Sequence, residues 1–106
     1  MTLQEKMLGQ LRPANTTAAS LYAPAANVTA IIKTIFVANT SSSVALFCIF
    51  VHNTGTTYDE TTALFWDVSI ASHATVELNS FLAMNNSAGH LAVRTDTANA
   101  LTFTFF

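Results

Sequence analysis

The chain is divided into short runs of Val, Ile, Phe, Leu and Thr, and clusters of Asn, Ser, Gly and Thr separate these runs. This pattern is typical of an all-β domain, because β-branched and aromatic residues favour strands and small polar residues favour turns. We predict seven strands, at residues 20–23, 29–39, 43–52, 62–70, 75–79, 90–94 and 100–106. Seven strands at this spacing indicate a single β-sandwich, either jelly-roll-like or immunoglobulin-like.

The first residues differ from the rest of the chain. A length of 106 residues indicates one domain, which we divide into an extended N-terminal arm at residues 1–16 and a β-sandwich domain at residues 17–106. Within the arm, Leu3, Met7, Leu8 and Leu11 would share one face of a short helix. Pro13 would end such a helix at the latest.

The central predicted strands are apolar on both faces, whereas a strand of an ordinary sandwich alternates between an apolar inner and a polar outer face. In residues 44–51, one face carries Val44, Leu46, Cys48 and Phe50, and the other carries Ala45, Phe47, Ile49 and Val51. Burying one such large side chain contributes about 1.5–3 kcal/mol, so a second face left in water would forgo on the order of 10 kcal/mol. That loss is comparable with the net stability of a whole domain.

We therefore predict that another copy of the chain covers the second apolar face. The predicted interface residues are Phe36, Phe47, Ile49 and Val51, and either face of each strand could form the core within one chain. The alternative is that the N-terminal segment folds back over the second face.

Composition argues against nucleic acid and membranes as partners. Hydrophobic residues make up 51% of the chain and charged residues 9%, and the four cations are scattered, so no phosphate-binding stripe is expected. The longest apolar run has eight residues, far fewer than the roughly 20 that a membrane helix needs. Residues 1–13 lack the continuous apolar stretch of a secretory signal. We expect a soluble protein made in the cytoplasm.

The sequence offers no catalytic or metal-binding motif. His52, His73 and His90 fall at strand ends or in turns without a second ligand at metal-binding spacing. The adjacent Asp59 and Glu60 would point in opposite directions on an extended chain, which does not suit a paired acid and base. Cys48 lies in the apolar run and is predicted to be a buried thiol. We predict no enzyme activity, no cofactor and no metal.

Several stretches resemble a group of small structural proteins of tailed bacteriophages. They are Leu11-Arg12-Pro13-Ala14-Asn15-Thr16-Thr17, Ser20-Leu21-Tyr22, Thr29-Ala30-Ile31-Ile32-Lys33 through Asn39-Thr40, Gly55-Thr56-Thr57-Tyr58-Asp59 through Phe65-Trp66-Asp67-Val68, and Met84-Asn85-Asn86-Ser87-Ala88-Gly89 followed by Leu91-Ala92-Val93. The resemblance covers most of the chain from Leu11 onward. It implies a virion protein with a β-sandwich fold that forms a trimer, and it implies no catalytic residues.

Within that resemblance we expect a capsid cement or decoration protein on the phage head, bound as a trimer to the major capsid protein, because so short a chain has no fibre shaft. Leu3, Met7, Leu8, Leu11 and Arg12 would form an arm that orders on the capsid or on a neighbouring trimer. The alternative is a receptor-binding or fibre-tip module. It would use the loops at residues 52–60 and 84–89, with Trp66 and Tyr58 stacking on a host glycan.

Overall fold

The structure is a computed structural model and describes residues 6–106. Its eight strands are β1 (Gly9–Leu11), β2 (Ala19–Tyr22), β3 (Ala30–Asn39), β4 (Ala45–His52), β5 (Ala63–Ile70), β6 (Thr75–Met84), β7 (His90–Thr95) and β8 (Leu101–Phe105). None of these described residues forms a helix that could span a membrane.

The strands form two four-stranded sheets that pack face to face. Sheet I has the order β1-β8-β3-β6 and sheet II has the order β2-β7-β4-β5, and every neighbouring pair is antiparallel. The chain changes sheet at every connection except the hairpin from β4 to β5. Eight antiparallel strands in this order make a jelly roll. The predicted β-sandwich is therefore confirmed, and of its two predicted forms the jelly roll is the correct one.

The observed strands differ from the predicted ones mainly in β1 and β6. Strand β6 continues to Met84, five residues beyond its predicted end. The prediction of a helix over residues 3–11 is wrong for Gly9–Leu11, which pairs with β8 as an edge strand. Gly9 permits this pairing, because a Cβ there would lie 2.7 Å from the Phe105 ring. Sheet I thus begins at Gly9, ahead of the predicted start of the sandwich at residue 17.

The core lies between the two sheets and consists of alternate side chains from both. Its buried members are Ile32, Ile35, Val37, Ala45, Phe47, Ile49, Ile70, Met84, Leu91, Val93, Ala100, Leu101, Phe103 and Phe105. The rings of Phe47 in sheet II and Phe103 in sheet I meet edge to face, with centroids 6.1 Å apart. The two sheets are therefore joined by interlocking aromatic and aliphatic side chains.

The connections divide between two ends of the sandwich. The loops β1–β2, β3–β4, β5–β6 and β7–β8 lie at one end of the sandwich. We call it the clamp end, because Asn39 connects the β3–β4 and β5–β6 loops there by hydrogen bonds. The buried Asn39 amide donates to the carbonyl oxygens of Ser43, Ile70 and Ala71, and its Oδ1 accepts from Ser41. The remaining loops, β2–β3, β4–β5 and β6–β7, lie at the opposite end with Met7 and Phe106.

Candidate functional site

The predicted interface residues do not share one surface. Phe47 and Ile49 are completely buried between the sheets, and Val51 is half-buried against the same core. The prediction that Phe47 and Ile49 form an oligomer interface is therefore wrong, because they point toward sheet I of their own chain. Phe36 points out of sheet I instead, and its ring meets that of Phe106 edge to face at 6.0 Å.

The second apolar face of β4 is covered by the chain itself. Cys48 and Phe50 point out of sheet II, yet both are buried, because Tyr58 from the β4–β5 loop packs over them with Ala18 and Ala63. The Tyr58 and Phe50 ring centroids are 6.0 Å apart. The alternative prediction, a cover from the N-terminal segment, holds only for Ala18. The rest of the cover consists of Tyr58 from the β4–β5 loop, Ala63 and Trp66 from β5, and Arg94 from β7.

Polar contacts complete the covered face of sheet II. Arg94 lies over the Trp66 ring, 4.7 Å from its centroid, and donates to the Cys48 sulfur at 3.2 Å. The Asp67 backbone N–H also donates to that sulfur, at 3.3 Å, from a residue whose φ of 50° marks an irregularity in β5. Cys48 is buried, as predicted, and its sulfur accepts two hydrogen bonds within this cluster.

The outer face of sheet I is open and carries an apolar patch at the end opposite the clamp. We call the end patch the residues Ile31, Phe36, Phe81, Ala83 and Phe106. Phe81 is 73% exposed, Phe106 41% and Ile31 38%. A phenylalanine this open to water on a strand is unusual, because burying its side chain contributes about 1.5–3 kcal/mol.

Strand register brings the members of the end patch together. Ile31 on β3 lies directly opposite Ala83 on β6, and Phe81 follows two residues away on the same face of β6. Phe106 continues β8 beside β3, where its backbone N–H donates to the Thr34 carbonyl oxygen. The patch thus crosses three adjacent strands of sheet I, and the exposed Lys33 lies within it, between Ile31 and Phe36 on the outer face of β3. Met7 and Val28, both exposed, lie at the same end of the sandwich.

Sequence reasoning missed the end patch because the predicted β6 stopped at Asn79. The alternation itself continues, since Val76, Leu78 and Leu82 point inward while Glu77, Asn79 and Phe81 point outward. Ser80, a small polar residue at an inward position, interrupts the apolar series. Extending the two-residue period across Ser80 would have placed Phe81 on the solvent face.

The predicted arm residues have mixed surroundings. Leu8 and Leu11 pack against the sandwich core, and the Arg12 guanidinium donates to the Asn99 carbonyl oxygen. Met7 is exposed, and Leu3 lies outside the described residues. Leu8, Leu11 and Arg12 are thus engaged within their own chain, and a role for this segment in capsid binding stays a prediction.

The residues that the alternative hypothesis assigns to glycan binding are only partly exposed to solvent. The loops at residues 52–60 and 84–89 do meet, because a Cβ on Gly89 would lie 2.6 Å from the Asn53 carbonyl oxygen. Trp66 is 41% exposed, but Arg94 covers one face of its ring. Tyr58 is packed on Phe50 rather than presented to solvent.

Residues 6–106 contain no cluster of three or more His, Cys, Asp or Glu side chains that could hold a metal ion. Hydrogen bonds from the Thr61 side chain and backbone hold the pKa of Asp59 below its ordinary value of 3.8. That carboxylate braces its own loop and is not paired with a second acid.

Comparison with other proteins adds no relative. No family model, curated protein or solved structure matches this chain.

Proposed function

We propose that the protein is a structural component of a phage virion, a cement or decoration protein that assembles as a trimer and binds the major capsid protein on the head. The observation that supports this function best is the end patch, an apolar surface exposed on a chain in which only 9% of residues are charged. The largest exposed apolar patch of a soluble chain, commonly about 300–600 Å², is often a functional contact surface. The resemblance to small phage structural proteins supplies the class of partner.

Other copies of the chain are the proposed occupants of the end patch. A formal net charge of −2 leaves little repulsion between copies. The predicted interface residues Phe47, Ile49 and Val51 pack in the core of their own chain, so Ile31, Phe81 and Phe106 replace them. Phe36 is retained. The capsid protein would then contact surfaces of the sandwich outside this patch.

The size of the patch fits a weak contact that is repeated many times. A buried aromatic residue covers about 150–250 Å², so two partly exposed phenylalanines and a few aliphatic neighbours supply only a few hundred Å². A stable interface needs roughly 800 Å² from each partner. Multivalent attachment to a shell compensates for weak single contacts, because each further contact forms at a high effective concentration. A cement protein works in this way.

The copy number in virions tests this proposal. Quantitative mass spectrometry of virions purified from the phage that encodes the protein should give a ratio near one copy per major capsid subunit. A ratio of a few per hundred would place the protein at a vertex or tail and favour the fibre-tip alternative. Absence from virions would contradict both proposals.

The fibre-tip alternative rests on the exposed part of Trp66 and makes a separate prediction. A receptor-binding module should bind specific glycans on an array, and Trp66→Ala should abolish that binding. A cement protein should give no signal above a bovine serum albumin control.

A further inference from the structure

The β4–β5 connection, residues 53–62, lies across the outer face of sheet II. Its Tyr58 ring packs on Phe50, which is 0% exposed. Near its C-terminal end the loop is held by its own polar groups. The Thr62 hydroxyl donates to the Thr57 carbonyl oxygen at 2.8 Å, and the Val51 backbone N–H donates to the Thr62 carbonyl oxygen at 3.0 Å.

The N-terminal half of the loop is held by the side chain of His52. The Thr57 backbone N–H donates to His52 Nδ1 at 3.1 Å. Gly55 lies against the same ring, because a Cβ there would be 3.0 Å from its Cε1 atom. A backbone N–H can only donate, so Nδ1 must be an unprotonated acceptor and the ring proton must lie on Nε2. This contact exists only with neutral His52.

We propose that residues 53–62 form a pH-sensitive latch, which protonation of His52 releases so that Tyr58 leaves Phe50, while Trp66 and Arg94 stay against the Phe50 ring. Protonated imidazole carries N–H on both nitrogens and offers Thr57 no acceptor. Histidine is the side chain that generally changes charge in mild acid. The inference concerns a different face from the end patch and does not rest on the proposed virion function.

The charged and titratable groups around His52 act in both directions. His90 on β7 lies directly opposite His52, and its protonation would repel the charged ring and favour release. Asp59 in the loop is close enough for the His52 charge to lower its pKa, so it attracts the charged ring and opposes release. Glu60 follows Asp59 but is exposed. None of these groups replaces the lost acceptor for Thr57.

The closed loop also carries an internal cost. The Tyr58 hydroxyl is buried, and among the described residues it has no hydrogen-bond partner. A buried hydroxyl without a hydrogen-bond partner is less favourable than one in water, and opening the loop would return it to solvent. Release would expose the side of the Phe50 ring that Tyr58 covers, next to Trp66 and Arg94.

Amide hydrogen exchange at Thr57, measured by NMR at pH 7.5 and pH 5.5 and corrected for the intrinsic rate, tests the latch. Loss of one hydrogen bond corresponds to a fall in protection of about 2- to 10-fold. We expect this fall in the wild-type protein but not in His52→Asn, because Asn offers an acceptor oxygen that does not titrate. His73→Asn is the matched control, because His73 lies at the clamp end with a φ of 58°, which Asn tolerates.

The control variant should behave as the wild type does. Equal protection of Thr57 at both pH values in the wild-type protein would overturn the proposal. So would an identical fall in His52→Asn, because the acid effect would then come from another group. If His52→Asn does not fold, the comparison of Thr57 protection at the two pH values in the wild-type protein decides. Protection of the amide of the core residue Ile49 then shows whether the whole domain opens.

Discussion

The two outer faces of the sandwich differ in the exposure of their apolar side chains. On sheet II, Cys48 and Phe50 are sealed beneath Tyr58 and bordered by Arg94 over Trp66. On sheet I, Phe81 and Phe106 are left open to water. An apolar strand face is therefore not by itself evidence of a partner. What distinguishes the two faces is cover from the same chain, which Tyr58 of the β4–β5 loop, Trp66 and Arg94 supply for Phe50 on sheet II.

This difference moves the proposed contact surface from one sheet to the other. An uncovered apolar face was predicted for both central strands, and on β4 the chain itself covers that face. The uncovered face belongs to β3, β6 and the end of β8. Matched substitutions on the two faces test whether one is covered and the other is open.

The largest difference is expected between Phe47→Asp and Phe36→Asp. Phe47 lies in the core, and an unpaired carboxylate there should cost more than about 4 kcal/mol and prevent stable folding. Phe36 is half-buried on the outer face of sheet I, where the same change should cost about 1 kcal/mol. Urea denaturation followed by circular dichroism measures both. Equal losses would mean that the two residues share one environment.

A second pair compares the covered and open faces directly. Phe50→Ala should lower the free energy of unfolding by about 3–5 kcal/mol, because it leaves a cavity beneath Tyr58. Phe81→Ala should change it by less than about 0.5 kcal/mol for the isolated chain, because Phe81 is mostly in water. Chemical denaturation at low protein concentration is the measurement. A large loss for Phe81→Ala would show that the open face is buried in the chain as it exists in solution.

Asn39 and Asn79 compare a buried amide with an exposed one on the same sheet. Asn39→Leu should cost on the order of 3 kcal/mol, because it leaves buried carbonyl oxygens of the clamp end without a donor. Asn79→Leu, on the outer face of sheet I, should be nearly neutral for stability. Thermal denaturation gives both values, and a neutral Asn39→Leu would contradict the clamp.

The smallest expected effect is on the stability of the protein in acid and involves Asp59 of the β4–β5 loop. The folded-state pKa of Asp59 is lowered by hydrogen bonds from Thr61, so its ionised form favours the folded state. That contribution is present above its ordinary value of 3.8 and is lost as the pH falls through the lower folded value. Asp59→Asn should therefore flatten the pH dependence of the unfolding midpoint below pH 3.8. Near pH 7 it should leave the slope of that dependence unchanged. A flatter profile at neutral pH instead would refute this assignment.

Much of the fold could be predicted from the sequence, because most strands carry their own pattern. Strands such as Ala30–Asn39 and Ala45–His52 are rich in Val, Ile and Phe, and turn residues flank them. Strand β1 could not be found this way. Its Gly-Gln-Leu sequence has no strand pattern, and its conformation depends on pairing with β8 more than 90 residues later.

The site was harder to predict because it depends on what covers each face. Periodicity shows that both faces of β4 are apolar, but it does not show which face points at the other sheet. The polar composition of residues 53–62 gave no sign that this loop packs over Phe50. Only the tertiary fold separates Phe47 in the core from Phe36 at the surface.

Sedimentation velocity of the wild-type protein and of Phe81→Asp tests whether the end patch on sheet I joins copies of the chain. Val44→Asp is the matched control, because Val44 is also exposed but lies at the clamp end. Because the patch is small, we expect the wild-type protein and Val44→Asp to associate into trimers as the concentration rises, and Phe81→Asp to stay a folded monomer at every concentration. A wild-type monomer at all concentrations, or a trimer that persists in Phe81→Asp, would contradict it.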